Sequence, residues 1–86
     1  MKYDNPVLNE RVRTHGDYNK TSYIAQKLKA VINQDEAILR IPVQQRESLD
    51  QICTKIARII SGDSNCKEHW EDIKGYAELV LEELNF

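Results

Sequence analysis

Apolar residues recur every three or four positions along most of the chain, which is the spacing of one face of an α-helix. The longest such pattern runs from about residue 42 to residue 61, and its members are Leu49, Ile52, Cys53, Ile56, Ile59 and Ile60. Gly62 follows directly, and glycine after a periodic segment is a common helix stop. This segment is predicted to be the strongest helix of the sequence.

Asn5 and Pro6 mark the start of a short amino-terminal helix. Asparagine is a good N-cap, and proline is favoured at the first helical position because its missing N–H would have no partner there. The helix should end before Gly16, and its shared face would carry Val7, Leu8, Arg11 and Val12.

The next segment predicts a middle helix followed by an irregular connection. Thr21 or Ser22 can cap this helix, in which Gln26, Lys27 and Lys29 would face water while the apolar face carries Ile24, Leu28, Val31 and Ile32. From residue 33 to residue 43 the helical spacing breaks, so the conformation of the connection is left open. Its apolar residues are expected to pack down: Ile38, Leu39 and Ile41.

A last helix is predicted at the carboxyl end. Asn65 with Glu68 three residues later resembles a capping box. The apolar stripe that follows consists of Trp70, Ile73, Ala77, Val80, Leu81 and Leu84. We expect Trp70 in the core and a close helix approach at Gly75. The loop before this helix is only a few residues long, so the last two helices should form an antiparallel hairpin.

Together these elements predict an all-α fold in a single domain covering residues 1–86, with a short amino-terminal helix, a middle helix and a long C-terminal antiparallel helical hairpin. A chain of this length can bury only a small core. We therefore expect a second copy to cover the surplus apolar surface, which makes the protein a homo-oligomer.

Composition excludes some classes of function. Lys and Arg total 12 against 14 Asp and Glu, and the net charge of −2 argues against binding of bulk nucleic acid through a basic surface. No apolar run approaches the ~20 residues that cross a bilayer, and no apolar signal segment is found. Cys53 and Cys66 form no Cys-x-x-Cys pair and no zinc-type set. We expect a reduced, cytoplasmic protein without a membrane partner.

The charges are unevenly placed along the chain. Residues 1–34 carry six basic and three acidic side chains, whereas residues 66–86 carry two basic and six acidic ones. The last helix can simply have a solvated acidic face. Alternatively, the basic region of one copy attracts the acidic helix of the next.

Five residues are candidates for binding a ligand. His15 and Asp17 flank a glycine that permits a tight bend, where both side chains would be exposed. The same tripeptide also fits a helix end, a turn and a cap. Lys55 and Arg58 can contact a phosphate or form ion pairs with the acidic last helix, and Tyr76 adds a phenol.

Four carboxylates are candidates for a magnesium site. Glu47 and Asp50 lie three residues apart on the first helix of the hairpin, and Glu71 and Asp72 lie near the start of the second. Mg²⁺ is held by oxygen ligands, but the hairpin register separates the two pairs, so they would converge more easily between protomers. Alternatively, carboxylates early in a helix stabilise its dipole. No nucleophile with a paired base, P-loop or dinucleotide fingerprint indicates a catalytic residue.

Several blocks of the sequence resemble a family of small phage and prophage proteins of unknown function. The blocks are HGD at 15–17, IAQKLK at 24–29, QRESLD at 45–50, KIARI at 55–59 and HWEDIKGYA at 69–77. The resemblance covers residues 15–81 and implies a phage origin and a fold rather than an activity. The matched positions are His15, Gly16, Asp17, Glu47, Asp50, Lys55, Arg58, Trp70, Asp72, Gly75 and Tyr76.

Two partial resemblances imply different functions. The acidic spacing is similar to that of the all-alpha NTP pyrophosphohydrolases, in which magnesium-bound carboxylates activate water, although their neighbouring double glutamate is absent. This would make the ligands Glu47, Asp50, Glu71 and Asp72. Separately, NPVLNER at 5–11 with His15 and Tyr23 looks like the start of phage anti-CBASS proteins, which form helical oligomers and sequester cyclic oligonucleotides. That second likeness ends by about residue 29.

Three hypotheses for function follow. The favoured one is a phage-encoded protein that binds a nucleotide or cyclic-nucleotide signal between protomers, in an anti-defence or nucleotide-metabolism role. The second is a magnesium-dependent pyrophosphohydrolase-like enzyme. The third is a module without a ligand that contacts a host protein through its oligomer surface.

Overall fold

The computed structural model describes residues 4–84, and this part of the chain is helical without any strand. The four α-helices are α1 (Pro6–His15), α2 (Tyr18–Gln34), α3 (Val43–Ser61) and α4 (Lys67–Leu84). A short 3₁₀ helix (Glu36–Arg40) joins α2 to α3. The all-α prediction is therefore confirmed.

The start of α1 follows the prediction. The Asn5 side chain accepts a hydrogen bond from the backbone N–H of Val7 at 2.8 Å, and Pro6 is the first helical residue. The helix ends at His15, directly before Gly16. Capping by asparagine and pre-organisation by proline are local effects, so the sequence alone shows them.

The predicted cap of α2 is wrong. Asp17 caps the helix instead, and its carboxylate accepts a hydrogen bond from the N–H of Asn19 at 3.0 Å. Thr21 lies within the helix, where it is buried and donates its hydroxyl hydrogen to the carbonyl of His15 at 3.0 Å. The aspartate directly after the turn satisfies a free N–H first, so neither Thr21 nor Ser22 is needed as a cap.

The connection between α2 and α3 is more regular than the sequence indicates. Asp35 caps the 3₁₀ helix by accepting a hydrogen bond from the N–H of Ala37 at 2.8 Å. Ile38 is buried, whereas Leu39 is 77% exposed and Ile41 is only half-buried. Neighbouring residues of a 3₁₀ helix point about 120° apart, so Ile38 and Leu39 cannot both face the core.

The hairpin of α3 and α4 is formed as predicted. The N–H of Gly62 donates to the carbonyl of Arg58 at 2.8 Å and closes α3. Lys55 and Asp72 form an ion pair of 3.0 Å between the two helices, which fits an antiparallel register. The α3 helix is central, because α2 and α4 pack mainly on it rather than on each other, and α1 also rests against α2 and α3.

Three expectations for α4 are corrected. The helix begins at Lys67, directly after Cys66, so the predicted Asn65 cap lies one residue too early. Trp70 is 54% exposed, and its indole N–H donates to the carbonyl of Ser64 at 2.8 Å. Its neighbour His69 occupies the core instead, at 1% exposure. At Gly75 no atom lies within 4 Å of where a Cβ would stand, so no helix approaches closely there.

The buried core is small. Its apolar members within residues 4–84 are Ala25, Ile38, Cys53 and Ala57, and its polar members are Thr21, Ser48 and His69. Among the described helices, none has the length and apolar character needed to cross a membrane.

Candidate functional site

The corner between α1 and α2 rests directly on the end of α3. Gly16 has a φ of +86°, in the left-handed region that favours glycine, and a Cβ there would overlap the side chain of Ser61. A Cβ at Gly62 would overlap the carbonyl oxygen of Thr14. Backbone therefore packs against backbone at this corner, and both glycines are needed for the close approach.

His69 fastens α4 to the same corner. Its Nε2 lies 2.7 Å from the carbonyl oxygen of Thr14, and because a carbonyl can only accept, Nε2 carries the hydrogen. The ring of His69 stands edge-on to the ring of His15, with 4.6 Å between the ring centroids. Four elements therefore meet around this corner, namely α1, α2, α3 and α4.

A pocket of about 410 Å³ opens beside this corner, between α1, α2 and α3. Its cationic side chains are Arg11 from α1, Lys29 from α2 and Arg58 from α3. The apolar and hydroxyl part of its wall consists of Leu8, Val12, Tyr18, Thr21, Ser22, Ala25 and Thr54. We call this site the cationic pocket, since no Asp or Glu is among its described lining residues.

His15 lies in the wall of the cationic pocket, and its surroundings lower its pKa. Burial lowers the pKa of His15, and the neighbouring Arg11, His69 and Arg58 lower it further, while Glu68 acts in the opposite direction. Its Nδ1 lies 2.6 Å from the hydroxyl of Thr14. The pocket therefore presents a neutral imidazole beside fixed positive charges at neutral pH, and an anion placed there would favour protonation of the ring.

Two of the five predicted ligand-binding residues line the cationic pocket, namely His15 and Arg58. Arg11, Lys29 and Tyr18 also line it and were not predicted. Arg11 lies four residues before His15 on α1, so the sequence alone places both side chains on the same side of this helix. Lys29 is expected from periodicity to face water, because periodicity cannot show a cavity between two helices.

The other three predicted ligand-binding residues lie elsewhere. Asp17 caps α2. Lys55 forms its ion pair with Asp72 on the hairpin, which was the alternative interpretation of this lysine. Tyr76 lies in a shallow acidic groove along α4, together with Glu71 and Glu82.

Within one chain, the four predicted magnesium ligands do not form a group that could hold a metal ion. Asp72 pairs with Lys55 at 3.0 Å, and Glu71 lies 3.5 Å from Lys67. Glu47 is exposed and Asp50 is half-buried on α3. Within residues 4–84, no group of three or more His, Cys, Asp or Glu side chains could hold a metal ion. Convergence between protomers is not tested by a single chain and stays a prediction.

No protein-family model, curated protein or solved structure matches the chain significantly. The family resemblances of the sequence blocks gain no support from these comparisons. Functional inference therefore rests on the geometry of the cationic pocket.

Proposed function

We propose that this protein binds a phosphorylated small molecule, of the nucleotide or cyclic-nucleotide class, in the cationic pocket. The observation that carries the proposal is the meeting of Arg11, Lys29 and Arg58 around one cavity whose described wall has no carboxylate. Like charges repel one another, and an anionic ligand would relieve that repulsion.

The two arginines are available to a ligand. Neither Arg11 nor Arg58 forms an ion pair with another described residue, whereas Arg13 on the outside of α1 pairs with Glu10. A guanidinium presents a planar fork of donors that binds phosphate in a bidentate manner. Because Arg11 and Arg58 come from two different helices, they can contact a phosphate from two directions.

The remaining wall of the pocket favours a ligand that carries an apolar or aromatic group in addition to a phosphate. A cavity of about 410 Å³ is within the range of small-molecule sites. Leu8, Val12 and Ala25 give it an apolar part, and Tyr18 is 75% exposed beside it. Aromatic rings stack on nucleobases, which makes a nucleotide-derived ligand the best chemical fit.

The biological role belongs to the same proposal. Most of the pocket comes from residues 5–29, the stretch that looks like the start of phage anti-CBASS proteins. A phage-encoded protein that sequesters a nucleotide signal is the role we propose, with accessory binding in nucleotide metabolism as the alternative.

Isothermal titration with ATP, a cyclic dinucleotide, a cyclic trinucleotide and inorganic phosphate, each with and without Mg²⁺, tests this function. We expect a nucleotide to bind without a requirement for Mg²⁺. R11Q should weaken that binding about tenfold or more, because it removes a charge-assisted hydrogen bond. R13Q is the matched control on the same helix, and it should leave the affinity within about twofold of wild type.

Two results would contradict the proposal. The first is the absence of binding across the whole panel. The second is an equal loss of affinity in R11Q and R13Q, which would indicate a general charge effect rather than a site. Binding that requires Mg²⁺ and leads to phosphate release would instead support the pyrophosphohydrolase-like hypothesis.

A further inference from the structure

The α3 helix has an apolar side that its neighbours leave uncovered. Thr54 and Arg58 line the cationic pocket, so they mark the side of α3 near α1. Ile56 and Ile60 each lie two residues further on, which places them about 200° around the helix. They are 37% and 62% exposed. The side of α3 opposite the pocket is therefore apolar and open.

The α2 helix shows the same division. Ser22, Gln26 and Lys29 line the cationic pocket. Val31 lies nine residues after Ser22, a rotation of about 180°, and it is 69% exposed. Leu28 lies between these two sides and is half-buried.

The α4 helix contributes an exposed apolar stripe. Trp70, Leu81 and Leu84 are separated by eleven and three residues, so they share one side of the helix, and they are 54%, 53% and 53% exposed. The hydroxyl oxygens of Thr21, near the start of α2, and Ser61, at the end of α3, lie 2.9 Å apart, so α2 also runs antiparallel to α3. Because α2 and α4 lie on opposite sides of α3 and both run antiparallel to it, the right-handed turn of the helices brings their apolar sides to the same side of the three-helix layer. We call this surface the open face. Its exposed members are Val31, Ile56, Ile60, Trp70, Leu81 and Leu84.

The surface area of the chain indicates how much is left uncovered. A folded monomer of 10.0 kDa is expected to have an accessible surface of about 5,200 Å², whereas this chain has 6402 Å². The excess of about 1,200 Å² exceeds the ~800 Å² that each partner buries in a standard interface. The radius of gyration is 14.8 Å, against about 12 Å for a compact domain of this length.

We propose that the open face is an interface between two copies of this chain. Four carboxylates of α4 line the groove on its other side, namely Glu71, Asp72, Glu78 and Glu82. Lys74 lies four residues after Trp70, so it shares the side of the stripe, and it pairs with Glu78 at 3.7 Å. A largely apolar face can bury against itself around a twofold axis, and the long side chain of Lys74 can keep its ammonium group in water at the rim. The pair of layers then forms the two-layer core that a single chain of this size lacks. This inference does not depend on the proposed ligand.

Two leucines of α4 allow a matched test. Leu81 belongs to the open face, whereas Leu79, two residues away and 57% exposed, lies in the acidic groove on the other side. Sedimentation equilibrium of the wild-type chain should give twice the 10.0 kDa mass of one chain. L81E should give the mass of one chain, because a carboxylate would be buried in the interface. L79E should remain a dimer.

Circular dichroism of each variant separates loss of the interface from loss of the fold, and L81E should keep its helical signal. A wild-type chain that stays monomeric across the micromolar range overturns the proposal. So does a chain in which L79E, and not L81E, dissociates. A monomer that co-sediments with vesicles of phosphatidylcholine and phosphatidylglycerol, and loses this binding in L81E, would assign the open face to a lipid surface instead.

Discussion

The carbonyl oxygen of Thr14 joins three parts of the chain. It accepts one hydrogen bond from Nε2 of His69 at 2.7 Å and another from the N–H of Asp63 at 3.1 Å. These bonds tie the end of α1 to the hairpin loop and to α4. Both lone pairs of the oxygen are used, which is how a buried backbone carbonyl is best stabilised. The position of His15 in the pocket wall follows from this junction.

The pKa of His15 predicts how stability depends on pH. The folded protein lowers the pKa of His15 below the ordinary value of 6.5. Above pH 6.5 the ring is neutral in both states and contributes no pH dependence. Below it, the unfolded chain takes up a proton that the folded chain resists, so the free energy of unfolding should fall. The fall should level off once the pH is below the folded pKa.

Urea denaturation over a pH series checks this sign, with H15Q as the control. The wild type should lose stability relative to H15Q as the pH falls through 6.5. A difference between the two proteins that stays constant with pH, or that grows in favour of the wild type at low pH, would show that His15 is not disfavoured in its charged form.

At the scale of elements, two glycines, Gly16 at the corner between α1 and α2 and Gly75 within α4, should respond in opposite ways to the same substitution. G16A should destabilise the fold by at least about 2 kcal/mol, because alanine is strained at a φ of +86° and its Cβ would overlap Ser61. G75A should stabilise it by about 0.5–1 kcal/mol, because alanine is the better helix former and nothing lies within 4 Å of its Cβ.

Thermal unfolding of both variants measures the pair. Each variant serves as the control for the other, because both replace a glycine by alanine and the expected changes in stability have opposite signs. Stabilisation by G16A would mean that the corner between α1 and α2 is not held against α3 as described.

Helix boundaries set by local chemistry could be predicted from the sequence, and those set by tertiary contacts could not. The Asn5 cap depends on neighbouring residues alone and is predicted correctly. The Gly62 stop is also predicted correctly, although glycine is needed there for the tertiary contact with Thr14 as well. The choice between His69 and Trp70 for the core depends on the carbonyl of Thr14, 55 residues away from His69. A hydropathy scale predicts that the tryptophan is buried. It cannot show that a distant backbone carbonyl supplies the hydrogen bond that allows a histidine to be buried instead.

The candidate site was only partly predictable for the same reason. His15 stood out because it precedes a glycine at a helix end, and Arg58 because it is a cation on the strongest helix. Asp17 has a local role as a cap, which was the alternative interpretation of the tripeptide at 15–17. Lys29 joins the cationic pocket only because α1 packs across α2 and α3, and that packing depends on the backbone contact between Gly16 and Ser61.

At the scale of the whole molecule, the cationic pocket and the open face lie on opposite sides of one layer of helices. The described wall of the pocket comes from a single chain. The sequence-based hypothesis that the ligand binds between protomers is not tested by a single chain and stays a prediction. A dimer formed through the open face would carry two separate pockets, each directed away from the interface.

This geometry predicts that ligand binding and dimer formation are independent. A nucleotide that binds the wild type should bind the L81E variant with an affinity within about twofold, since Leu81 lies on the open face and not among the described residues that line the pocket. Calorimetry should give one ligand per chain for both proteins. Sedimentation of the R11Q variant should still give the dimer mass. If L81E loses the ligand while it keeps its helical signal, the binding site must extend across the interface, and the hypothesis of a site between protomers would then replace the pocket described here.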